Sequence, residues 1–151
     1  MMKYLKNTLF ICGFLLFAAV SQACRPNKKS FPCVKFIKNY DGDTLTVNIP
    51  GVHPLLGKKI RIRVNGIDTP EIRGRSACEK KKARLAKKLA YSLLSKAKRI
   101  DLLNVKRGKY FRIVADVFID QKKNLAQVLL KNKLAYRYNG KRKPKINWCK
   151  I

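Results

Sequence analysis

The sequence predicts an α+β fold in which five strands form a barrel, one long helix lies between strands 3 and 4, and a short helix follows strand 5. Three observations lead there. Apolar residues alternate with period two in five segments, they recur at helical spacing in two others, and no internal repeat or low-complexity linker divides the 151 residues. A chain of this length holds one ordinary domain, and 46% hydrophobic residues suffice to build its core.

Cys33 to Tyr40 sets Val34 and Phe36 against Lys35, with Ile37 breaking the alternation, and Thr44 to Ile49 alternates loosely. Both read as strands, joined by the Asp41-Gly42-Asp43 turn. Pro50, Gly51, Pro54 and Gly57 make the next stretch a loop. Lys59 to Asn65 alternates Ile60, Ile62 and Val64 with Lys59, Arg61 and Arg63, which is a third strand with a basic face. Ser76 and Glu79 then form a capping box that opens the long helix, each side chain expected to satisfy a free backbone N–H. Ala86, Leu89, Leu93 and Ala97, with Ala90 and Leu94 beside them, give that helix an apolar stripe, while Lys80, Lys81, Arg84, Lys87 and Lys88 load a solvated opposite face. Ile100 to Val105 and Tyr110 to Ile119 read as two more strands around the Arg107-Gly108 turn, and Asn124 with Gln127 repeats the capping pattern before Leu125, Val128 and Leu129. Strands and helices in this order follow the plan of the oligonucleotide-binding barrel, the OB-fold.

The first segment stands apart from this fold. Lys3 and Lys6 precede an apolar run from Thr8 to Val20, and Ser21-Gln22-Ala23 supplies small residues around a spacer, so residues 1–23 read as a cleaved export signal and 24–151 as a single domain. The run is shorter than the roughly 20 residues that cross a bilayer. Cys24, Cys33, Cys78 and Cys149 remain after cleavage, an even number suited to an oxidising compartment, either periplasmic or extracellular. Of the three possible pairings, Cys24 with Cys33 and Cys78 with Cys149 is preferred, the second bond pinning the C-terminal segment. Lipidation of Cys24 as an outer-membrane lipoprotein is the alternative, although Ser21 departs from the large aliphatic residue usual in such signals.

Thirty-six basic residues against eight acidic give a formal charge of +28, which calls for an acidic partner. The single histidine, His53, excludes chemistry built on a histidine pair and a multi-histidine zinc site. Carboxylates and guanidinia must therefore carry whatever reaction occurs. Four of the eight acidic residues fall in two short clusters at strand ends, Asp41-Gly42-Asp43-Thr44 and Asp68-Thr69-Pro70-Glu71. Each alone reads as a turn. Together, in so basic a chain, they point to a cation: two aspartates and a carbonyl are hard oxygen ligands of the kind calcium takes, and would leave positions open for water and a phosphate oxygen. Arg63 on the third strand and Arg112 on the fifth would be costly facing inward unless paired.

These residues carry a resemblance to the staphylococcal nuclease (thermonuclease) family, running from about Val34 to Tyr138. The motifs are Asp41-Gly42-Asp43-Thr44, Arg63-Val64-Asn65-Gly66-Ile67-Asp68-Thr69-Pro70-Glu71, Lys109-Tyr110-Phe111-Arg112 and Leu134-Ala135-Tyr136-Arg137-Tyr138. The resemblance implies that Asp43, Asp68 and the Thr69 carbonyl ligate Ca2+, with Asp41 behind them, and that Glu71 acts as general base. It also implies that Arg63 and Arg112 grip the phosphate, and that Lys109, Tyr110, Tyr136 and Tyr138 position the nucleotide. The expected protein is a monomeric, calcium-dependent nuclease acting on DNA and RNA, single-stranded or frayed, and leaving 3′-phosphate ends. A noncatalytic binding module is the rival reading, but such repeats lack the carboxylates and arginines present here. A cationic protein aimed at acidic lipid or cell wall is the third, and it would need none of Asp43, Asp68 or Glu71.

Overall fold

The computed structural model describes residues 24–109 and 112–150. The proposed export signal, together with Tyr110 and Phe111, lies outside them. In chain order the elements are β1 (Lys35–Asn39), β2 (Thr44–Asn48), α1 (Pro54–Gly57), β3 (Ile60–Val64), β4 (Ile67–Asp68), α2 (Ala77–Ser95), β5 (Ile100–Arg107), β6 (Ile113–Ile119), β7 (Lys123–Asn124), α3 (Leu125–Lys131) and β8 (Tyr136–Arg137). The five expected strands are β1, β2, β3, β5 and β6. Two-residue β4, β7 and β8 are additional, being too short to show a period, and His53 caps a one-turn helix, α1, inside the expected loop.

The main sheet runs β1-β2-β3-β6-β5, with β7 alongside β6, and it is mixed: β3 and β6 are parallel and the other pairs antiparallel. Residues just before β1 hydrogen-bond to the far edge strand, with Phe31 N–H donating to Leu102 O at 2.8 Å and Val34 N–H to Ile100 O at 2.9 Å. The sheet is therefore curled until its two ends meet. Its inner face carries Leu45 and Val47, Ile62 and Val64, and Ala115, Val117 and Ile119, all buried at every second position as a pleated strand requires. The α2 helix lays Ala83, Ala86, Ala90 and Leu94 on this core, and Leu125 and Leu129 of α3 complete it. Leu89 and Leu93 are only partly buried, because the helix meets the sheet along its alanine edge, where small side chains allow close approach.

The α2 cap is half of the expected box. Ser76 Oγ accepts the Glu79 N–H at 3.1 Å, but the Glu79 carboxylate turns to the N–H of Arg75 at 3.0 Å. Both preferred disulfides are present, Cys24–Cys33 and Cys78–Cys149. A sulfur so bonded leaves Cys24 no thiol for lipid. Cys78–Cys149 joins the first turn of α2 to the C-terminal segment across 71 residues, so opening it with Cys149→Ser should cost about 2–4 kcal/mol of unfolding free energy, measurable by urea denaturation. Among the described residues no helix is long and apolar enough to cross a membrane.

Candidate active site

Strand pairing brings the two acidic clusters to one place. In the β2–β3 register Thr44 lies opposite Arg63, so Asp43 at the mouth of β2 sits beside that guanidinium. From β3 the chain turns through Asn65-Gly66, where Gly66 takes a positive φ of 76° that suits glycine, and returns as β4 with Asp68 at its end. The Asp41-Gly42-Asp43 turn is equally constrained. Asp43 N–H donates to Asp41 Oδ1 at 3.1 Å, while Asn39 Nδ2 donates to Asp41 O at 2.7 Å and to Lys87 O of α2 at 3.0 Å. A Cβ at Gly42 would stand 2.8 Å from Ala86 Cβ and 2.9 Å from a Thr69 methyl, so only glycine lets the turn press against both the helix and the second cluster.

Arg63 is the centre of the arrangement. Its Nη1 donates to Asp43 Oδ1 and its Nη2 to Asp68 Oδ1, both as close ion pairs. It does not face the barrel interior: Ile60, Ile62 and Val64 alternate inward, and Arg63 lies on the other face of β3, sheltered to 17% side-chain exposure by the clusters it joins. Asp43 Oδ2 accepts the Thr69 N–H at 2.7 Å, and Thr44 Oγ1 donates to Asp43 Oδ1 at 3.2 Å. The pairing of β4 with β8 sets Asp68 opposite Tyr136, whose hydroxyl donates to Asp68 Oδ2 at 2.8 Å.

Asp41, Asp43, Asp68 and Thr69 are all buried; Arg63 bridges Asp43 and Asp68, and the Lys143 ammonium also reaches Asp68. Burial, reinforced by the charges of Asp41 and Asp68 against the opposing pull of Arg63, pushes Asp43 up to about 7. Arg63 would be lowered by burial, but the carboxylates of Asp43 and Asp68 outweigh that and hold it above its usual value. Burial, with the hydrogen bond to Asp68, raises Tyr136 as well. The cluster thus holds more negative charge than Arg63 alone neutralises, and Lys143 takes up part of the rest at Asp68. Although no group of three or more His, Cys, Asp or Glu side chains gathers as ligands among the described residues, two buried carboxylates beside the Thr69 backbone are a hard-oxygen donor set of the kind that fits calcium with water.

The Asp43 carboxyl titrates near the ordinary aspartate value of 3.8 when unfolded and at about 7 when folded, so from about pH 4 to about pH 7 the folded chain keeps a proton that the unfolded chain releases. Stability therefore falls as pH rises through that window and levels off above it. With divalent ions chelated, Asp43→Asn should stabilise the chain by about 2–4 kcal/mol at pH 8 and by almost nothing at pH 4, read from urea unfolding at the two pH values.

The other expected site residues are placed as follows. Glu71 lies on the surface after Asp68, its side chain 56% exposed, and its Oε1 accepts from Lys143 Nζ at 3.1 Å. Arg112 is half-buried just before β6, two residues ahead of Val114, the register partner of Arg63. Lys109 is exposed in the turn that precedes it, and Tyr110 lies outside the described residues. Tyr138 is half-buried with its hydroxyl donating to Lys141 O at 2.6 Å. Asp101, Asp116 and Asp120 belong elsewhere: Asp101 pairs with Arg99, Asp116 accepts from Asn65 and Asn104, and Asp120 accepts the N–H groups of Lys98 and Arg99. Sequence reasoning missed Lys143, whose Nζ also reaches Asp68 Oδ2 at 3.0 Å, and Asn39, which fixes the first turn. A lysine before a proline in a basic tail carries no periodic signal that could have singled it out.

Among the described residues a curled mixed sheet with three helices, bearing an arginine-bridged carboxylate cluster on a strongly basic chain, defines an OB-like α+β protein. Residues 61–148, more than half the chain, match the family model described as staphylococcal nuclease homologue, and the chain belongs to that family. Membership of that family supports a nuclease, a hydrolase with nucleic acid as substrate. The match begins at Arg61, so Asp41 and Asp43 precede it; Asp43 is tied to it by the Arg63 ion pair and the Thr69 hydrogen bond, and Asp41 is joined to Asp43 by the Asp43 N–H. No curated protein matches the chain.

Proposed function

We propose that this chain is an exported, calcium-dependent nuclease that hydrolyses DNA and RNA, preferring single-stranded or frayed substrate, and leaves 3′-phosphate ends. The observation that carries the reading is Arg63 clasping Asp43 and Asp68 at once, which unites both acidic clusters and a phosphate-binding group in one site. Asp43, Asp68 and the Thr69 carbonyl would hold the ion, with Asp41 orienting the turn. A calcium ion held by these residues would supply positive charge to offset the phosphate and would make water easier to deprotonate.

The chain's own groups do the rest. Glu71, exposed beside Asp68, accepts the proton of the attacking water at a carboxylate oxygen. A guanidinium has five N–H donors, and the contacts of Arg63 with Asp43, Asp68 and the Ile67 carbonyl leave others for a phosphate oxygen. Arg112 adds countercharge where the transition state gains negative charge, and the bond to O5′ breaks, the departing O5′ taking a proton from solvent to become a hydroxyl and the phosphate staying on the 3′ side. Lys109, Tyr110, Tyr136 and Tyr138 position phosphate and base. Stacking on aromatic rings suits an unpaired strand, and the basic surface gives sequence-independent, salt-sensitive affinity. Two disulfides support export to an oxidising compartment.

End-group analysis of products from denatured DNA, duplex DNA and RNA checks the reaction. Denatured DNA and RNA should be cut faster than duplex, with ends that accept ligation only after phosphatase treatment of the 3′ terminus. Products with 3′-hydroxyl ends would contradict P–O5′ cleavage.

A further inference from the structure

Every oxygen of the two central aspartates is engaged by a donor of the chain itself. Arg63 and the Thr69 N–H hold Asp43, while Asp68 divides its oxygens between Arg63 on one side and Tyr136 with Lys143 on the other. Lys143 is the unusual member of this set. It comes from neither cluster but from the C-terminal segment, and its ammonium spans Asp68 Oδ2 at 3.0 Å and Glu71 Oε1 at 3.1 Å.

That segment is fastened on both sides of the lysine. Before it, the Lys141 carbonyl accepts the Tyr138 hydroxyl at 2.6 Å. After it, Trp148 is buried with its ring 5.8 Å from that of Tyr136, and Cys149 is bonded to Cys78. Much of the entropy lost in holding a lysine in one geometry, the usual reason that exposed ion pairs contribute little, is therefore already spent by the fold. Lys143, Tyr136 and Trp148 wall a small cavity of about 140 Å³ that opens on Asp68 and Glu71.

We propose that Lys143 is the resident cation of the carboxylate site, which a divalent ion must displace from Asp68, so that Lys143 sets the calcium concentration at which the site loads. This rests on the calcium reading above. The logic is one of charge: Asp68 cannot give the same oxygen fully to an ammonium and to a doubly charged ion, and two cations crowded on that oxygen repel. Loading is an exchange in which the ammonium leaves as the ion enters. Once released, Lys143 remains next to Glu71, where an anionic substrate arrives.

The test is calorimetric titration of the disulfide-intact chain with calcium chloride, without nucleic acid, for the parent, Lys143→Gln and Lys145→Gln. Lys145 is an exposed neighbour in the same segment, so its variant controls for overall charge. Lys143→Gln should bind calcium roughly tenfold more tightly than the parent, the scale of losing a competing charge-assisted hydrogen bond, whereas Lys145→Gln should stay within about twofold. Trp148 is the chain's only tryptophan, and its emission should change along the parent's calcium isotherm as the segment shifts. Equal affinities for the two variants, or calcium binding that leaves Trp148 emission unchanged, would overturn the exchange while leaving the calcium reading intact. No calcium binding by any of the three would overturn both.

Discussion

Arg63→Ala is expected to lower the rate of phosphodiester cleavage by about 10²- to 10³-fold, the scale of removing a preorganised electrostatic contact from a transition state. It should not leave the fold untouched. Arg63 is the partner of two buried carboxylates, and its removal abandons Asp43 and Asp68 to one another, at a cost of about 3 kcal/mol in the metal-free chain near pH 8. A sequence-only view would treat this arginine as purely catalytic, but the ion pairs make it structural as well. Arg63→Lys separates the roles, because a single ammonium can neutralise the cluster without offering a fork to both carboxylates and a phosphate. Stability should return in part and the rate should not. Urea unfolding beside single-turnover digestion checks both halves, and full turnover in Arg63→Ala would remove the residue from the chemistry.

Glu71→Gln should reduce the rate by about 10²- to 10⁴-fold, the range for loss of a general base. Its stability should match the parent's, since the side chain is 56% exposed and the amide oxygen still accepts a hydrogen bond from Lys143. Single-turnover kinetics on denatured DNA at saturating calcium give the comparison. A variant that cuts at the parent's rate would assign proton removal to another group.

The five main strands and the long helix were legible because alternation and the Ser76 cap are local signals. The two-residue strands β4 and β8 were not, although they set Asp68 opposite Tyr136 and so shape the site; two residues show no period. The acidic clusters and Arg63 were visible as residue types, yet only the β2–β3 register brings Asp43 against Arg63. An arginine alternating with isoleucines could be read as facing inward, whereas it lies on the sheet's other face and is sheltered by the clusters themselves. Tyr136 was expected as a base-stacking group and is bonded through its hydroxyl to Asp68. Lys143 reaches the site through a disulfide between residues 71 apart, a contact no local pattern encodes.

The most direct measurement is digestion of denatured DNA by the purified, disulfide-intact chain, in calcium and again in excess chelator, with retention of the DNA on the protein followed in the same samples at low and high salt. The account predicts cleavage in calcium, none in chelator, and retention that weakens with salt in both. Salt-sensitive retention with no cleavage in either condition would contradict it, making this chain a nucleic-acid binder whose carboxylates serve only to hold Arg63 and the turns.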